Sequence, residues 1–266
     1  MKILKDTTKR DKNFFRFYPV GQGLFYYGSI NDGEITFVYD CGTSSDFGRL
    51  KDFIDELSVE RHMKFGYNKP LDFVVISHFH RDHINGLPYL RTKIGYEKIY
   101  VPYIHEKFEY VEAYIRGSLS KDKNDNLNND LFSSIINNDF YYINKKKTNM
   151  LKYKIWNFDF LFKPINKRKL DYFIKTLKKE GIMDKNLNIK CGFEDELENI
   201  YKTVFGYEDI NDTSLMMVHY PENFGITKKG NPKLNETKVN FDGRKSKNIQ
   251  PYTFLTGDAN FDGIET

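Results

Sequence analysis

The chain has 266 residues, 39% hydrophobic and 16% aromatic, a composition that can bury a sizeable core and excludes disorder of the whole chain. Its 41 lysines and arginines stand against 37 acids for a net charge of +4, with the two signs interspersed, so charge alone assigns no nucleic-acid partner. Two cysteines, Cys41 and Cys191, are too few for a disulfide framework, and no apolar run has the length of a membrane span.

From Phe14 to Asp40 the pattern is strand-like, broken at Gly21-Gln22-Gly23 and at Asn31-Asp32-Gly33, which predicts an antiparallel opening sheet. Residues 46 to 58 set Phe47, Leu50, Phe53, Ile54 and Leu57 at helical spacing with one buried face. Leu71 to Ser77 is a short, continuous, β-branched apolar run, as expected of a strand covered on both faces, and it leads directly into a group of histidines. Ile84 to Leu90 reads as the start of a helix and Lys98 to Pro102 as a further strand. This strand, loop, helix, strand order predicts a layered α/β fold.

Between about residues 106 and 206 the chain becomes rich in Lys, Asn and Asp, with helical patterns near 106–119 and 167–180. We read this stretch as a largely helical insertion in one domain spanning 1–266. Within it Tyr153 to Phe162 alternates and is expected to be a strand of the main sheets, while Lys121 to Asn129 is the expected mobile loop. Strand patterns return at Ser214 to Tyr220 and at Tyr252 to Thr256, separated by a polar stretch, 222–250, that reads as a long hairpin loop.

The chemistry concentrates in His78-Phe79-His80-Arg81-Asp82-His83, where three imidazoles and a carboxylate fall within six residues after a buried strand. In an extended segment residues two apart face the same way, so His78 and His80 can converge on one cation while Phe79 points elsewhere. Asp82 and His83, at the turn into a helix, can face a second cation, and Gly86 would let that helix pack closely. Imidazole and carboxylate donors without thiolates suit Zn²⁺ first, two ions per site, with Mn²⁺ or Fe²⁺ as alternatives.

His-x-His-x-Asp-His after an apolar strand resembles the signature of the metallo-β-lactamase superfamily. The resemblance implies a four-layer αββα sandwich with metals at one sheet edge. Asp40-Cys41-Gly42-Thr43 resembles that family's first motif, whose aspartate, here Asp40, supports the metal loop without touching the ions. Thr256-Gly257-Asp258-Ala259 resembles its fourth motif, which implies that Asp258 bridges two metals. Asn211-Asp212-Thr213-Ser214-Leu215 is similar to a strand motif of the branch related to DNA-uptake competence proteins. The superfamily also supplies a middle and a last histidine, and neither is evident here. Outside the cluster the chain has His62, read as a surface residue, His105 as a candidate additional ligand, and His219, which shares a strand face with Leu215 and Met217 and is read first as a core or rim histidine and second as a candidate ligand. The C-terminal closing strand and helix of the fold are not evident either, so the chain is expected to be the N-terminal part of a longer protein, or to be completed by a further domain or partner chain.

The implied activity is hydrolysis by a metal-bound hydroxide, with Asp82 handling protons. A phosphodiester in nucleic acid or a nucleotide is the favoured substrate; a small ester, thioester, lactone or amide is the alternative. A third reading is a non-catalytic sensor or docking domain of a defence or competence assembly. The polar N-terminus and free thiols lead us to expect a cytoplasmic protein.

Overall fold

The structure, a computed structural model, describes residues 13–67, 69–119, 140–143, 150–153, 156–161, 165–186, 188–212, 214–221, 253–255 and 257. The opening strands β1 (Phe14–Phe17), β2 (Gly23–Ile30) and β3 (Ile35–Thr43) pair antiparallel, as their alternation and turn residues predict. Helix α1 (Phe47–Phe65) starts at Asp46, whose carboxylate accepts from Arg49 N at 3.2 Å. It runs past the expected end near residue 58 and stops at Gly66, whose left-handed φ of 71° closes the last turn on the His62 carbonyl.

After α1 the sheet continues in parallel through β4 (Phe73–Val75), β5 (Ile99–Pro102) and β6 (Phe140–Ile143), in the order β1-β2-β3-β4-β5-β6. Parallel neighbours need crossovers, supplied by α1 and by α2 (Arg81–Ile84) with α3 (Leu87–Lys93). A second sheet, antiparallel throughout, has the order β10-β9-β8-β7, from β7 (Met150–Tyr153), β8 (Trp156–Leu161), β9 (Met216–Pro221) and β10 (Thr253–Leu255).

Two cores hold these layers together. Between the sheets lie Tyr26, Phe37, Tyr39, Phe73 and Val75 from the first and Phe158, Phe160, Met217 and Leu255 from the second. On the other face of the first sheet, Val38, Val74 and Val101 share a cluster with Leu50 and Ile54 of α1 and Leu90 of α3. That cluster continues into α4 (Phe108–Leu119), α5 (Lys167–Lys179) and α6 (Glu194–Asp212). Val74 faces the helices and Phe73 and Val75 the second sheet, so the continuous apolar run of β4 is covered on both faces as its sequence predicts. The result is the mixed α/β sandwich of the metallo-β-lactamase type; among the described residues all the longer helices lie on the outer face of the first sheet.

The lysine-rich stretch contributes β6 to the first sheet, β7 and β8 to the second, and three helices to the outer layer. The expected mobile loop at Lys121 to Asn129 and the polar stretch 222–250 fall outside the described residues. No helix among the described residues is long and apolar enough to cross a membrane.

Candidate metal centre

The histidines follow the C-terminal end of β4, where a parallel strand leaves the sheet and the next helix has not yet begun. His80, with φ −69° and ψ 145°, is the last extended residue before α2. The alternation then acts as predicted: Phe79 is buried in the helix-facing core, whereas His78 and His80 turn to the same side and meet. Nε2 of His78 and Nδ1 of His80 stand 2.9 Å apart. The His83 ring lies 4.1 Å from that of His78, centroid to centroid, and Asp82 Oδ2 is 4.0 Å from His83 Nε2. His78 and His83 are buried, His80 and Asp82 are partly accessible, and Arg81 is exposed between them.

Asp40 holds this loop from beneath. In the β2–β3 register Phe25 faces Cys41 and Tyr26 faces Tyr39, so Asp40 is the extra residue of a β-bulge, with a left-handed φ of 54°. The bulge aims its carboxylate at the turn after β4. Oδ1 accepts from Ser77 N at 2.6 Å, and Oδ2 accepts from the Ser77 hydroxyl at 2.6 Å and from His83 Nδ1 at 2.8 Å. Full burial pushes the Asp40 carboxyl above its usual range, while His83 and then the Ser77 hydrogen bonds pull it back. With Nδ1–H of His83 committed to Asp40, the lone pair of that ring sits on Nε2, the side facing Asp82.

Gly42, two residues beyond Asp40, lets β3 touch the metal loop directly. A Cβ on Gly42 would lie 2.5 Å from the carbonyl carbon of Asp82 and 2.6 Å from His83 N. Gly86 plays the close-packing part expected of it, its α-carbon set against Cys41 so that a Cβ would meet Sγ at 2.7 Å. Asn85, which sequence reasoning passed over, secures the same contact: its Oδ1 accepts from Thr43 N at 3.0 Å and its Nδ2 donates to Thr43 O at 2.7 Å.

The donor set suits divalent ions. His78 is held well below the ordinary imidazole range by burial and then by His83 and His80, so it is the neutral, lone-pair form that a cation needs. Among the described residues no three donors already form a cage. His78 and His80 share a hydrogen bond at 2.9 Å, whereas two nitrogens held tetrahedrally by one zinc at about 2.0–2.1 Å stand roughly 3.3 Å apart. Binding therefore needs the two rings to part by a few tenths of an ångström. Asp258 lies outside the described residues; its neighbour Gly257 packs against Ser77, a Cβ there falling 2.7 Å from that of Ser77.

Of the two other candidate ligands, His219 is committed elsewhere. His219 is fully buried in the core between the sheets, in contact with the rings of Phe15, Phe37 and Phe158, with Nε2 3.0 Å from the Tyr26 hydroxyl. The strand alternation put this side chain inside, and the sandwich places it in the inter-sheet core. His105 follows β5, where Nδ1 accepts from Lys107 N at 3.0 Å and the ring stacks on Tyr110 at 4.3 Å. His62 is exposed at the end of α1.

Burial lowers the pKa of His219 to about 3. An unfolded chain takes up this proton below about pH 6.5 and the folded chain does not until far lower, so the stability that neutral His219 permits is complete above about 6.5. It falls as the pH drops through the window down to about 3. Between pH 7 and 4.5 the loss from this residue is expected to be about 2–3 kcal/mol. Denaturant titrations at both pH values should show the drop in the wild type, reduced by that amount in His219→Phe. Equal drops would mean that His219 is protonated in the folded chain.

The family comparison agrees with the fold. The family profile of the metallo-beta-lactamase superfamily matches residues 25–156, which include Asp40 and the whole histidine loop. Among solved structures the chain is similar to the metallo-beta-lactamase fold protein YhfI from Bacillus subtilis, at 16% identity with a TM-score of 0.29. That alignment covers 55% of this chain and 46% of YhfI, so it spans less than half of the relative's length. No curated protein matches. Residues 25–156, in which a parallel strand ends in His-x-His-x-Asp-His and is braced by an aspartate from the neighbouring strand, thus carry a metallo-beta-lactamase superfamily domain, of a superfamily of metal-dependent hydrolases whose members generally bind divalent ions, often zinc.

Proposed function

We propose that the chain is a metal-dependent phosphodiesterase acting on nucleic acid or a nucleotide, with His78, His80, Asp82, His83 and Asp258 as its metal ligands. The observation that carries this reading is the opposed pair His78 Nε2 and His80 Nδ1, beside a His83 whose Nδ1 is tied down by Asp40. Zinc at such donors, or Mn²⁺ or Fe²⁺, would lower the pKa of a coordinated water and polarise the substrate. Asp82, partly accessible at the start of α2, is the base that takes the proton released in hydrolysis. Arg81, exposed between His80 and Asp82, puts a guanidinium at the rim, suited to a phosphate oxygen.

The phosphodiester assignment also draws on the net charge of +4 and on the resemblance of Asn211 to Leu215 to the DNA-uptake competence branch. With His219 buried between the sheets, we assign the remaining ligand positions to His105 and to a further domain or a partner chain.

Elemental analysis after dialysis, paired with turnover of bis(p-nitrophenyl) phosphate and p-nitrophenyl acetate, tests this. The wild type should retain metal and cleave the diester, and its cleavage of a nucleic acid should fall as salt rises. His80→Ala and Asp82→Ala should lose most of the metal, and His62→Ala none. Metal retained in the first two variants would refute the ligand assignment. Turnover of the acetate alone would move the substrate class to a small ester, and metal binding with no turnover even when the remaining ligands are supplied by a longer form would favour a sensor or docking role.

A further inference from the structure

His78 is held from a direction that the metal-loop motif does not reveal. Its Nδ1 lies 2.9 Å from Ser77 Oγ and 3.2 Å from Oγ of Ser214, a fully buried residue just before β9 in the second sheet. Counting hydrogens decides how these groups share. Ser77 has one hydroxyl hydrogen and donates it to Asp40 Oδ2 at 2.6 Å, so toward His78 it can only accept. Nδ1 of His78 can meet the Ser77 oxygen only as a donor, with the Ser214 oxygen as a second acceptor in reach, and the lone pair then sits on Nε2, facing His80.

The backbone around Ser214 is equally fixed. Leu215 N donates to Ser77 O at 2.7 Å, and the buried Tyr39 hydroxyl donates to Leu215 O at 2.7 Å. Ser214 thus cannot drift from His78 without breaking the seam between the sheets. The two buried histidines of the loop are consequently aligned by different layers. His83 is aligned from within the first sheet by Asp40, whereas His78 is aligned partly from the second sheet.

We propose that Ser214 is a positioning residue for His78: with Ser77 it fixes the Nδ1–H tautomer, so that Nε2 is presented to a metal at the His78–His80 pair. The functional meaning of this role rests on the metal-hydrolase reading above; the tautomer itself does not. Loss of such a supporting hydrogen bond typically weakens metal binding by about 10- to 100-fold. Because Ser77 still accepts from His78, the lower end is expected for Ser214→Ala.

The test uses the metal-free full chain and nitrogen-15 NMR of its imidazoles. In the wild type, His78 should show a protonated Nδ1 and a bare Nε2. Ser214→Ala should move the His78 signals toward a mixture of tautomers, leave those of His83 in place, and weaken zinc about tenfold in a chelator competition. Ser214→Thr, which keeps the hydroxyl, should restore both. If the alanine variant does not fold, Ser214→Cys, with a similar shape and a weak acceptor, takes its place. A wild-type His78 protonated at Nε2, or a variant with unchanged His78 signals and zinc affinity, would overturn the proposal. A chain whose His78 signals respond as expected but which binds no zinc would support the positioning role and refute the hydrolase reading.

Discussion

Replacing Asp40 by alanine is expected to lower the stability of the folded chain by about 3–5 kcal/mol and to abolish retention of metal. The carboxylate accepts three hydrogen bonds within 2.8 Å in a site shut off from water, and its removal strands Ser77 N–H, the Ser77 hydroxyl and His83 Nδ1–H together. Asp40→Asn separates the two effects. Its side-chain oxygen can still accept from Ser77 N, but an amide nitrogen at the Oδ2 position meets two donors. The readiest relief is for His83 to move its proton to Nε2, which removes the lone pair that faces Asp82. The asparagine variant should therefore unfold closer to the wild type in denaturant yet bind zinc about 10- to 100-fold more weakly. Equal metal affinity in Asp40→Asn and wild type would show that Asp40 acts only as a structural anchor.

Gly42→Ala is expected to be nearly as damaging, about 2–3 kcal/mol in stability, with most of the metal lost. The added methyl would fall 2.5 Å from the carbonyl carbon of Asp82 and 2.6 Å from His83 N, atoms of the backbone and not the ends of flexible side chains. Relief requires β3 and the start of α2 to separate, which pulls Asp82 and His83 away from His78. Thermal unfolding and elemental analysis together check this. A variant as stable and as metal-rich as the wild type would mean that the two segments are not in contact.

Much of this was legible in the sequence because the signals were local. The apolar run from Leu71, the alternation of β1 to β3 and the spacing of α1 each repeat within a few residues; the turn from extended chain to helix, read at Asp82 and His83 with a helix from Ile84 to Leu90, begins at Arg81 and is split between α2 and α3. Their cause is local too: side-chain direction follows directly from the backbone period. His78 and His80 could thus be paired, and Phe79 sent elsewhere, before any fold was known.

Other features depended on residues far apart in the chain. Ser214 reaches His78 across 136 positions and Asp40 reaches His83 across 43. Asp40 and the segment that holds Ser214 were found only through a resemblance, which gave Ser214 itself no role, and Ser77 and Asn85 were not singled out, since a lone polar residue carries no periodic signal. His219 marks the boundary most clearly: the strand pattern placed it inside, but which interior it entered was settled by how β9 lies across Tyr26 and Phe37.

The sequence by itself determined the elements, the α/β layering and the set of nitrogen and oxygen donors, since all three follow from short-range periodicity and side-chain chemistry. Only the tertiary structure decided which groups each buried imidazole meets and that His219 lies between the sheets. Those depend on hydrogen-bond partners that the packing of one sheet on another brings within 3 Å or so of each ring.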